Sequence, residues 1–183
     1  MKLMLMAASL RQDSINKKLI QLSHEVLKKL QVSSEIKQFN DYEQPLYDGD
    51  VETSKGLPAG VQQFINDMND FDGLVFSVPE YNFSMPGTFK NLIDWVSRGR
   101  PMPWMGKKIL LLSASPAAAG GVRGLWQIRV PFEGCGAFVF PDMFTLANAF
   151  SAFDDKGHLT DKNLEDRLEG LLKQFASFSA VKF

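Results

Sequence analysis

Two stretches of the chain, residues 73–78 (GLVFSV) and 108–113 (KILLLS), are apolar almost without a break. A strand with one wet face alternates apolar and polar side chains, so runs like these belong to strands covered on both faces, as in a parallel sheet. Around them, apolar residues recur at helical spacing. They fall at Ile15, Leu19, Leu22, Val26, Leu27 and Leu30 in residues 15–30, and at Val61, Phe64, Ile65 and Met68 in a helix whose first turn holds Pro58. Residues 2–8 (KLMLMAA) are a further short apolar run, closed by the polar turn SLRQDS, and residues 34–39 (SEIKQF) make another strand. The polar, proline-bearing stretch 40–56 has no period and is expected to be a long loop. Helices are expected over 86–96, from about 124 to 135 and over 161–178, with Pro131 arguing for a kink or early end, and a fifth strand over 137–140.

Strands alternating with helices along the whole chain predict a single α/β domain over residues 1–183. The expected architecture is a flavodoxin-like, doubly wound five-stranded parallel sheet of order 2-1-3-4-5, with helices on both faces. A chain of 183 residues, 45% hydrophobic and 22% charged, can bury such a core. Its 20 basic and 21 acidic residues are mixed along the sequence and give a net charge of −1, which excludes the footprint of a nucleic-acid or anionic-membrane binder. Polar Ser9, Arg11 and Asp13 interrupt the apolar start before a secretory core could form, and no other run approaches membrane-spanning length, so a cytoplasmic location is expected. One cysteine, Cys135, excludes an internal disulfide framework and a cysteine-ligated iron–sulfur cluster. With two scattered histidines, His24 and His158, no metal site is expected. Redox or acid–base chemistry must therefore use something else.

In sheets of this order ligands bind at the carboxyl ends of the strands, where the winding reverses beside the first strand. The loops there are SLRQDSIN, PEYNFS and SASPAAAGG. Residues 9–16 gather two hydroxyls, a guanidinium and an amide at a helix start, where backbone N–H groups and the helix dipole favour an anion. An equally open reading is that Ser14 merely caps the helix and Arg11 is solvated. No Walker A or GxGxxG pattern is present, so a single terminal phosphate suits the loop better than a triphosphate or pyrophosphate. The small residues and paired glycines of 113–121 let a flat ligand approach the backbone, though such turns are often only turns. At the end of the third strand Pro79 fixes φ and withholds a donor, making a rigid corner.

In order and spacing, S-L-R-x-x-S-x-N after the first strand, PEYN-x-S-x-P-G-x-x-K-N-x-x-D-W after the third and Gly-Gly after the fourth resemble the NAD(P)H-dependent FMN reductase family, which includes quinone, chromate and azo-dye reductases. The resemblance runs down to the tail FDDKGHLTD. It implies that Ser9, Arg11, Ser14, Ile15 and Asn16 hold the FMN phosphate by side chain and backbone. It also implies that Pro79, Glu80, Tyr81 and Asn82 line the isoalloxazine ring, and that Ser115, Gly120 and Gly121 close its other edge. Ala8 departs from the family, which often has glycine there.

The activity so implied moves electrons from NADPH or NADH through bound FMN to a small-molecule acceptor, such as a quinone, flavin, azo dye or metal oxyanion. A ping-pong cycle is expected with no catalytic side chain, because the cofactor carries the chemistry. Arg123 is a candidate for a 2′-phosphate by its place after Gly121. The competing class is a flavodoxin-type electron carrier, or a scaffold without NAD(P)H turnover; the Thr/Ser-rich loop and strongly acidic surface of flavodoxins are missing. A homodimer or homotetramer is implied, with residues 86–96 near the interface and Trp95 either there or in the core. Trp104, in RPMPWMG, is a candidate to shelter the ring or a neighbouring subunit.

Overall fold

The computed structural model describes residues 1–182. Strands β1 (Lys2–Ala7), β2 (Ser33–Ile36), β3 (Gly73–Ser77), β4 (Lys108–Ala114) and β5 (Phe138–Val139) form a parallel sheet of order β2-β1-β3-β4-β5, and β6 (Phe144–Leu146) also pairs with β4. The expected order is observed. Register is set by the central strands, with Leu5 opposite Val75 and Val75 opposite Leu110.

Alternate side chains of each central strand enter two separate cores, which is why these strands carry no polar face. Leu3, Leu5, Val75, Leu110 and Leu112 meet helices α1 (Ile15–Lys29) and α6 (Lys162–Ala180). Met4, Met6, Leu74, Phe76, Ile109 and Leu111 meet α3 (Ala59–Asn69), α4 (Gly87–Val96) and α5 (Val122–Gly134). The second core is aromatic: Phe76 stacks on Phe132 at 5.9 Å between centroids, and Trp104 meets Phe132 edge-on at 4.9 Å.

Four features depart from the sequence-based expectation. Stretch 40–56 is not structureless: a 3₁₀ turn at Phe39–Asp41 and the short helix α2 (Gly49–Lys55) lie around and within it. Helix α2 buries no residue and so leaves no apolar period to read; Asp48 caps it by accepting from the Asp50 N–H. Helix α5 runs through Pro131, with Cys135 N–H bonding back to the Pro131 carbonyl at 3.0 Å. Gln127, whose carbonyl loses its partner to the proline, is on the exposed face of the helix. The fifth strand is an edge interrupted at Pro141: β5 pairs with Lys108 and Ile109, and β6 resumes opposite Leu112, Ser113 and Ala114. A proline fits an edge, where one of its sides needs no ladder. Finally, Trp104 is fully buried and donates to the Ile93 carbonyl, so it shelters neither a ligand nor a subunit. Trp95 is likewise a core residue; its indole N–H donates to the Pro45 carbonyl at 2.8 Å.

Candidate functional site

The loops after β1, β3 and β4 surround one cavity of about 440 Å³ at the carboxyl edge of the sheet. Ser9, Arg11, Ser14, Ile15, Asn16, Pro79, Glu80, Tyr81, Asn82 and Ser115 all line it. Phe83, beside Tyr81 and Asn82, lines it too, and so does Phe150, which sequence reasoning did not single out. Phe150 arrives from the segment after β6, whose register is fixed by Ser115 N–H bonding to the Leu146 carbonyl and Ala149 N–H to the Ser115 carbonyl. No local pattern marks that pairing, because it joins residues some thirty positions apart.

At the first loop, Ser14 caps α1 in an extended conformation, but its hydroxyl makes no cap hydrogen bond. The first turn of α1 has no acidic residue, so its N–H groups and positive dipole end face the cavity, with the Asp13 carboxylate, which also lines it, as the one acidic side chain of this loop. Ser9 and Ser14 are buried and Arg11 is exposed beside them. The donor set is that of an anion site. Ala8 has no positive φ, so the methyl group at this point introduces no backbone strain.

Asn16 has a different task from the one the sequence suggested. Its Oδ1 accepts from the Ser77 hydroxyl at 2.8 Å and the Ala114 N–H at 2.9 Å, while its Nδ2 donates to the Ala114 carbonyl at 2.9 Å. The side chain thus ties α1 to the ends of β3 and β4.

The corner after β3 is a two-residue hairpin turn. Tyr81 and Ser84 exchange both backbone hydrogen bonds, at 2.9 and 3.0 Å, and the central residues Asn82 and Phe83 have φ of 50° and 62°. Both are left-handed, the pattern of a type I′ turn, and for Phe83 this is a strained state. The Glu80 side chain turns away into the protein, accepting from the Gly124 N–H at 3.1 Å.

Gly120 and Gly121 do not line the cavity. Their φ values are 61° and 87°, and a Cβ on Gly121 would lie 2.0 Å from the Ser113 Oγ. These glycines let the chain turn tightly from β4 into α5, so their local role is the turn. A second, larger cavity of about 690 Å³ is lined by Leu10, Phe39, Tyr42, Pro45, Leu46 and Thr88, among others. No lysine or arginine lines it, so of these two cavities the smaller is the better place for an anionic ligand. Among the described residues no three His, Cys, Asp or Glu side chains converge as a metal site.

A family model described as NADPH-dependent FMN reductase matches residues 1–151. The chain is similar to a quinone reductase of Escherichia coli, 35% identical over 136 residues that cover 73% of this chain and 72% of that protein. It is also similar to a quinone reductase of Pseudomonas putida, 33% identical over 173 residues, 93% of this chain and 90% of that one. Among solved structures it superposes on the flavoenzyme NAD(P)H:(acceptor) oxidoreductase FerB from Paracoccus denitrificans with a TM-score of 0.83 and 25% identity, covering 97% of this chain and 96% of that one.

Proposed function

This chain belongs to the NADPH-dependent FMN reductase family, and from that premise we propose that the cavity at the ends of β1, β3 and β4 holds FMN and serves an NAD(P)H-dependent quinone reductase. The observation that carries the reading is the pairing, within one cavity, of the donor groups at the start of α1 with the rigid corner at Pro79, Glu80, Tyr81 and Asn82. Arg11, the Ser9 and Ser14 hydroxyls and the backbone N–H groups of Ile15 and Asn16 would hold the phosphate. The corner would line the ring with backbone groups, and Ser115 would meet its other edge. Gly120 and Gly121 would act on that edge by shaping the turn rather than by touching the ring. Bound FMN supplies hydride acceptance from NAD(P)H and electron release to a second substrate.

The mouth of the cavity carries Tyr81, Phe83 and Phe150, which are 49, 69 and 73% exposed. Flat aromatic walls suit a quinone, in line with the quinone reductases to which the chain is similar, and flavins, azo dyes or metal oxyanions are further acceptors in this reading. We take donor and acceptor to use the mouth in turn, in a ping-pong cycle. The protein is proposed to be a cytoplasmic homodimer or homotetramer. Its support is the apolar face of α5, where Trp126 and Val130 are 59 and 72% exposed one turn apart, rather than the buried Trp95. The lone Cys135 suits a reducing compartment. No helix among the described residues is long and apolar enough to cross a membrane.

An anaerobic visible spectrum tests the central proposal. Protein loaded with FMN should bleach within seconds of NADPH addition; a yellow protein that NADPH leaves unchanged would favour an electron carrier. Light scattering that finds a 20.5 kDa monomer at micromolar concentration would remove the oligomer.

A further inference from the structure

We propose that Glu80 is a positioning residue: its buried carboxylate caps α5 from outside the helix and thereby locks the 81–84 turn that forms one wall of the cavity. The inference rests on the reading of that cavity as a flavin site.

The cap position before α5 is Gly121, which has no side chain to cap with, and the first turn of the helix contains no acidic residue. Val122 N–H bonds to the Ala119 carbonyl at 3.2 Å, but no backbone carbonyl takes the Gly124 N–H. Glu80 supplies what the helix lacks. Its Oε2 accepts from the N–H of Gly124, the third residue of α5, and its Oε1 lies 3.6 Å from the Arg123 Nη1. The side chain is only 8% exposed, so water does not replace these partners easily. A carboxylate at a helix N-terminus is also favoured by the dipole.

The turn that follows needs such support. Asn82 and Phe83 both hold left-handed φ, and a strained pair persists only where its surroundings over-determine it. Three further contacts come from the same two turns of α5. Gln127 Nε2 donates to the Phe83 carbonyl at 3.2 Å, the Ser84 hydroxyl donates to Gln127 Oε1, and the Arg123 guanidinium lies 5.2 Å from the Phe83 ring centroid. Glu80 fixes the root of the corner and Gln127 fixes its tip. Close packing completes the clamp, since a Cβ on Gly124 would lie 3.2 Å from the Ser84 carbonyl oxygen.

The bond requires an oxygen acceptor at the end of a three-carbon side chain, and not a charge as such. Glu80→Gln keeps the acceptor; Glu80→Ala removes it. Hydrogen exchange of the flavin-free protein, followed at residues 81–84 and at Gly124, reads the clamp without any cofactor. Loss of a capping contact should speed exchange at these amides by about tenfold in Glu80→Ala, with Glu80→Gln close to wild type and the β4 amides unchanged. FMN titration should show the same order, with the dissociation constant of Glu80→Ala raised about tenfold and that of Glu80→Gln near wild type. If Glu80→Ala does not fold, Gln127→Ala cuts the clamp from the exposed side and should speed exchange at 81–84. Unchanged exchange at 81–84 in whichever variant is folded overturns the assignment, as does a Glu80→Gln protein that behaves like Glu80→Ala. Failure of the wild-type protein to bind FMN would instead overturn the flavin reading, and the exchange comparison would still decide the role of Glu80.

Discussion

Asn16 sits among the hydroxyls of the first loop, yet its amide satisfies three groups inside the protein. Asn16→Ala would leave the Ser77 hydroxyl and both backbone groups of Ala114 unpaired in a buried place. Each such orphan costs about 1–3 kcal/mol, so the three together should lower stability in urea unfolding by at least about 3 kcal/mol. A variant as stable as wild type would mean that the staple is not needed. Arg11 is the opposite case: it is exposed, and the role proposed for it is toward a ligand. Arg11→Ala should leave the unfolding midpoint unchanged and weaken FMN binding by about 1.5–3 kcal/mol, the range of a charge-assisted bond. An unchanged dissociation constant in a fluorescence titration would remove Arg11 from the phosphate site.

Among the elements, the junction of β4 and α5 is the least tolerant. Gly121 combines φ of 87° with a virtual Cβ 2.0 Å from the Ser113 Oγ and 2.9 Å from its Cβ. Strain and overlap together should make Gly121→Ala less stable by about 2–4 kcal/mol, read as a fall in the midpoint of thermal unfolding. Adding Ser113→Ala removes one of the two clashes and should recover part of the loss. At the opposite edge, β2 is held to β1 by Glu35, which accepts from Lys2 and Lys37 at 2.8 and 2.7 Å. The hydrogen bonds from Lys2 and then Lys37 lower its pKa to about 2. A folded pKa below the unfolded value means that the stabilisation is present above about 4.5 and is lost as pH falls toward about 2. Because the carboxylate is 42% exposed, solvent screening keeps the effect small. Denaturant titrations between these pH values should show a shallower acid loss in Glu35→Gln than in wild type.

For the whole molecule, the arrangement of one anion site, one rigid corner and an aromatic mouth argues that flatness and redox potential select the acceptor. A benzoquinone, ferricyanide and free flavin should all be turned over, with parallel initial-rate lines when donor and acceptor are varied together. Intersecting lines would reveal a separate acceptor pocket. The neighbouring cavity bounded by Leu10, Leu46 and Thr88 is where such a pocket would lie.

Continuous apolar runs, helical periods and their alternation were enough to determine the class of fold and its strand order, because burial on both faces and right-handed crossovers leave few other ways to connect such segments. The three loops at the carboxyl edge were legible for the same reason: topology alone brings the ends of β1, β3 and β4 together. Tertiary structure decided what each side chain in those loops does. That Asn16 faces Ala114, 98 positions away, and that Glu80 faces Gly124, 44 away, depends on packing between elements and leaves no periodic trace. The same holds for β6 and Phe150, placed by an edge strand too short and too broken to show a pattern, and for α2, which buries nothing. Local sequence records which face of a segment must be dry; which polar group meets which across the fold is settled only when the helices close over the sheet.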